Sequence, residues 1–103
     1  MKIKDSHIIS EGVVKIKKRI FGLKLIYTDH FLERVEERDI NVDEIFWILL
    51  NRYQELRLYR GSGKQLIYMS QRLSFVFRVR KTCIELITAM DYEPKTIKGL
   101  MVI

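Results

Sequence analysis

The strongest constraint on the fold lies in the joins of the C-terminal half. Two alternating apolar runs, residues 73–80 and 83–91, are separated by Lys81-Thr82 alone, and Gln71-Arg72 precedes the first of them. Two residues can close a hairpin, but they cannot bring a strand round to lie parallel to its predecessor. Residues 55–60 and 65–70 alternate as well, around Gly61-Ser62-Gly63-Lys64, where glycine suits a turn needing positive φ. The expectation is a four-stranded antiparallel meander. The closing PKTIKGLMVI either adds an edge strand or frays.

Before Arg52 the period is helical. From Thr28, a good N-cap residue with Asp29 beside the positive end of the dipole, Phe31, Leu32 and Val35 share one side of a helix. His30, Arg34, Glu37 and Arg38 share the neighbouring side. Asn41-Val42-Asp43-Glu44 resembles a capping box, and it opens IFWILL, a run apolar nearly all round. Such a helix lies under the sheet or meets a partner. Ile9, Val13, Ile16 and Ile20 predict a further helix over residues 6–21, capped by Ser6 and ended by Gly22, although VVKIKKRIF within it also alternates. Helices followed by strands define an α+β fold, with the N-terminal helices packed on one face of the meander.

Alternation then sorts the sheet. Leu56, Leu58, Leu73, Phe75, Phe77, Val79, Ile84 and Leu86 form the face expected to meet the helices. Arg57, Tyr59, Lys64, Tyr68, Arg78, Arg80 and Glu85 fall on the other. That second face suits gripping phosphates and stacking bases; it equally suits ordinary cross-strand pairs, such as Arg78 or Arg80 with Glu85.

At 103 residues the chain predicts a single domain, 1–103. Charge is unevenly spread: residues 52–81 hold eight Lys/Arg against one Asp/Glu, and residues 27–51 hold two against seven. The basic segment points to an anionic partner, nucleic acid before a membrane surface. Cys83 is the one cysteine, which excludes an intramolecular disulfide and fits a reducing cytoplasm. Its expected role is that of a buried strand residue. MKIKDSHIIS lacks the apolar core of a signal peptide, and no apolar run is long enough to span a bilayer. No metal-ligand spacing is present, so neither metal nor cofactor is expected. Glu93-Pro94-Lys95 matches a nuclease E-x-K only superficially, since Pro opposes the strand such sites use. The Gly61–Lys64 loop lacks P-loop spacing.

The remaining chemistry is metal-free RNA cleavage, in which a 2′-hydroxyl attacks the adjacent phosphorus. His30 would move protons, with Arg34, Arg78 and Arg80 as catalytic charge clamps. Arg38, Arg57, Tyr59, Lys64 and Tyr68 would bind the nucleic acid. Against this, Arg34 and Glu37 stand at the spacing of an ordinary intrahelical ion pair.

The stretch HFLERVEERDI resembles the H-x3-R-x3-R-x-I box of a small domain family of unknown function. That family is placed in the RelE-like class of the barnase, colicin and RelE ribonuclease fold. NVDEIFWIL, YRGSGKQLIYM, LSFVFRVR and ELITAMDYEP continue the likeness over residues 27–94, leaving 1–26 as an N-terminal extension expected to be helical. The resemblance implies His30, Arg34 and Arg38 as the box positions and Arg78 and Arg80 as strand basic residues. It also implies a metal-independent, toxin-like endoribonuclease, a toxin or a mobile-element effector, with RNA as substrate and an antitoxin or a second copy of the chain as partner. Asp39 stands where that family favours Gly. The alternatives are a module that binds nucleic acid or protein through the basic sheet face without cutting, and an interaction protein working through IFWILL.

Overall fold

The computed structural model describes residues 7–16 and 19–103, with side chains from residue 24 onward. In chain order the elements are β1 (His7–Ile16), β2 (Arg19–Tyr27), α1 (Asp29–Arg38), α2 (Val42–Leu56), a 3-10 turn (Arg57–Tyr59), β3 (Leu66–Tyr68), β4 (Ser74–Val79), β5 (Cys83–Met90) and β6 (Met101–Val102).

The sheet is six-stranded and mixed, ordered β1-β2-β5-β4-β3-β6. This corrects the four-stranded antiparallel meander. The β3-β4-β5 part is antiparallel as the short joins demand, but β2 lies parallel to β5, and β6 parallel to β3. The helices supply the long crossover that carries the chain from β2 to β3, a connection no two-residue join can make.

Residues 7–16 and 19–27 form an antiparallel hairpin where a helix over 6–21 was expected. The segment is rich in β-branched Val and Ile, which pack well on a pleated surface, and β5 offers β2 a strand edge to join. The run 55–60, expected as a strand, is the last turn of α2 followed by the 3-10 turn. Here the deciding signal is helical: Ile45, Leu49, Tyr53 and Leu56 are all buried at spacings of three and four. Leu58, assigned to the apolar sheet face, is 80% exposed as a consequence.

Both helix starts follow their local chemistry. Thr28 Oγ1 accepts from the Phe31 N–H at 3.0 Å and its hydroxyl donates to Ile87 O at 3.1 Å, while the Thr28 N–H donates to Leu86 O at 3.2 Å. Ile87 is the residue skipped where the β4–β5 register shifts. The cap therefore also docks α1 onto the β5 bulge. Asn41 caps α2 by accepting from the Asp43 N–H at 2.9 Å, but Glu44 does not complete a capping box; its carboxylate pairs with Arg72 at 3.0 Å. Asp39 ends α1 in the left-handed region, φ 52° and ψ 48°, a conformation that Asp tolerates better than most residues.

The core lies between the helices and one face of the sheet, where Phe31, Ile45, Leu49 and Leu56 meet Leu25, Leu66, Phe75, Phe77, Ile84 and Leu86. Phe75 and Phe77 are fully buried, and each contributes roughly 1.5–3 kcal/mol by leaving water. The α2 run IFWILL divides as its angular positions require: Ile45 and Leu49 are fully buried, whereas Trp47 is 62% exposed.

Candidate nucleic-acid interface

Because Phe77, Val79, Ile84 and Leu86 belong to the core, the intervening Arg78 and Glu85 point to the far side of the sheet, away from the helices. They are register partners on β4 and β5. Glu85 is buried, 6% exposed. One of its oxygens accepts from Arg80 Nη2 at 2.8 Å and Nε at 3.1 Å, and lies 3.7 Å from Arg78 Nη1. The cross-strand pairing expected of an ordinary sheet face is therefore present, but one carboxylate serves two guanidinium groups. Arg78 also retains a buried Nε with no hydrogen-bond partner.

Two concavities of about 410 and 420 Å³ flank this cluster and meet at Gly63 and Arg78. Lys64 borders the first; Arg80 and Lys81 border the second. Gly61 and Gly63, at φ 74° and 76°, form the turn that lets this rim double back. Gly99 and Leu100, at the end of the segment that joins β5 to β6 (residues 91–100), also line the first concavity, which places that end beside Arg78. Ser74 anchors the other end of the segment by donating to Tyr92 O at 2.8 Å. Lys81 was read from the sequence only as a turn residue. Its place beside Arg80 in a two-residue join was the available signal, since such a join must sit at the strand ends.

Other expected site residues lie elsewhere. His30 is exposed on the first turn of α1, in the helical layer, whereas Arg78 and its register partner Glu85 point to the other face of the sheet. The expected catalytic set of His30, Arg34, Arg78 and Arg80 does not converge. Arg34 forms the intrahelical ion pair with Glu37. Arg38 donates to Asp91 at 2.9 Å and lies 5.3 Å over the Tyr92 ring; the hydrogen bond to Asp91 raises its pKa further. It acts as a latch between the end of α1 and the exit of β5. Tyr68 faces the core, stacked on Phe75 at 5.3 Å, and Tyr59 packs against the same cluster. Neither tyrosine is on the basic face, which corrects its assignment as a stacking platform. Arg57 is exposed on the 3-10 turn, off the sheet.

Cys83 borders the second concavity but is buried. Burial pushes its thiol up, opposed in part by the charge of Arg80. A thiol held protonated in this way is a poor nucleophile. Among the described residues no group of three or more His, Cys, Asp or Glu is placed to hold a metal ion, and no helix is long and apolar enough to cross a membrane. Comparison with family models, with curated proteins and with solved structures returns no match.

Proposed function

We propose that the chain is a nucleic-acid-binding module that holds a phosphate backbone in the paired concavities without cutting it. The observation that carries this reading is the charge balance of their walls. Lys64, Arg78, Arg80 and Lys81 surround the two spaces, and the nearby carboxylate, Glu85, is buried and already shared between two arginines. At least two cations therefore remain for a ligand, and a string of phosphates is the polyanion that such a row recognises. Binding is favoured over RelE-like ribonuclease action because His30, the group expected to move protons, stands on the far side of the sheet from the guanidinium cluster. The raised thiol of Cys83 does not replace it. A cytoplasmic setting, where RNA and DNA are both accessible and a lone thiol stays reduced, belongs to the same proposal.

The test is fluorescence anisotropy with labelled single-stranded RNA and DNA across a salt series. Two to three phosphate contacts predict a slope of log K against log salt of about −1.5 to −2, reduced by roughly one contact in Arg78→Gln. Affinity that is absent at low salt, or indifferent to salt, would sink the proposal. Cleavage of RNA in chelator by the wild type, lost in His30→Ala, would replace it with the ribonuclease.

A further inference from the structure

The β1–β2 hairpin is longer than the sheet it joins. β2 pairs with β5 only from Lys24, opposite Cys83, to Tyr27, opposite Leu86. The β1–β2 ladder continues for five further pairs, from Gly12 opposite Leu23 to Ile16 opposite Arg19. Because β2 and β5 run parallel, these pairs extend past the first residue of β5 as a two-stranded ribbon, about 16 Å long at strand rise. They leave the sheet at the end where the Lys81-Thr82 turn borders the second concavity. The paired ribbon positions, 12–16 and 19–23, hold two cations, Lys15 and Arg19, and no acid, so a basic ribbon and the cationic concavities share one end of the molecule.

We infer that the ligand is a double helix rather than a single strand, and specifically B-form duplex DNA, with one backbone in the concavities and the ribbon laid into the adjacent major groove. This rests on the nucleic-acid reading above and narrows it. The major groove of B-DNA, roughly 12 Å wide, admits a two-stranded β-ribbon, and a projection of about 16 Å is long enough to cross it. The major groove of A-form RNA is too deep and narrow for such an element. A single strand needs only the concavities and leaves the ribbon without a ligand.

The experiment compares four probes by anisotropy: a DNA duplex of about twenty base pairs, each of its separated strands, and an RNA duplex of the same sequence. The expected order is DNA duplex tightest. Lys15→Gln with Arg19→Gln keeps chain length at two ribbon positions while removing charge. It should weaken duplex DNA binding at least about tenfold and reduce the salt slope by up to about two, while leaving single-strand affinity within about twofold. Arg78→Gln should weaken both. Arg72→Gln with Lys95→Gln, a charge-matched pair outside both surfaces, should weaken neither. Equal loss on duplex and single strand in the ribbon variant, no loss on duplex, or an RNA duplex bound as tightly as DNA would overturn the inference while leaving the concavities as a binding site. Failure of the wild type to bind any probe would remove both readings. If the ribbon variant loses its β-sheet circular dichroism, the wild-type slopes decide instead: a duplex slope no steeper than the concavity contacts alone require refutes a role for the ribbon.

Discussion

Glu85→Gln separates the structural and binding roles of the arginine cluster, because the two move in opposite directions. Gln keeps the shape and can still accept a hydrogen bond from Arg80, so the substitution removes mainly charge. The lost partners stand 2.8 and 3.7 Å away. A fully buried pair broken on one side costs about 3–5 kcal/mol, but the side chains of Arg78 and Arg80 are 27% and 51% exposed. Water then screens much of the residual repulsion, and the expected destabilisation is about 1–2 kcal/mol. In urea this moves the unfolding midpoint down by roughly 1 M, for a small protein with a slope near 1–2 kcal/mol/M. The same change frees Arg80 and removes the negative charge behind the binding wall. Affinity for a labelled oligonucleotide should rise about three- to tenfold at low salt, and the salt slope should steepen by about one phosphate contact. Far-UV circular dichroism in urea and anisotropy across a salt series read the two effects independently. Stability and affinity falling together would refute the reasoning, since Glu85 would then be positioning the arginines for the ligand rather than competing with it.

Three further outcomes follow from the geometry. Thr28→Val preserves shape but strips the Phe31 N–H and the Ile87 carbonyl of their partner; it should cost about 2–4 kcal/mol, whereas Thr28→Ser, which keeps both hydrogen bonds, should cost no more than about 1 kcal/mol. Equal urea midpoints for the two would show that the cap does not dock α1. Asp39→Gly relieves a left-handed residue and should stabilise by about 0.5–1 kcal/mol, raising the melting temperature by roughly 3–5 °C; an unchanged or lower melting temperature counts against the relief. Cys83 should be alkylated far more slowly in the native protein than in urea near pH 8.5. Because its folded-state pKa is raised, this group's contribution is present in full below the thiol's ordinary range. Stability should fall as pH rises above about 8.5, and Cys83→Ala should remove that part of the decline.

The legible parts of the fold were those decided within a few residues. Thr28 and Asn41 announce helix starts because a side-chain oxygen reaches an N–H two or three positions on, and Lys81-Thr82 forces a hairpin because so short a join has one solution. Residues 55–60 misled because an alternating run can also be the tail of a helix, and only the burial of Tyr53 and Leu56 against the sheet separates the two.

Of the candidate site, the sequence by itself determined that Arg78 and Glu85 would share a face, since successive side chains alternate between faces and the short hairpin join tightly constrains the register. It also determined that the chain would carry a strongly basic segment. Only the tertiary structure decided that β2 would enter parallel beside β5 and that Tyr68 would turn to the core. Only it placed His30 across the sheet from the arginines, and brought the β1–β2 ribbon to the end where Lys81 lies. Local periodicity states which side chains stand together on one element. Which element covers which face depends on contacts distant in sequence, made by competition for a single apolar surface, and no repeat along the chain encodes the outcome.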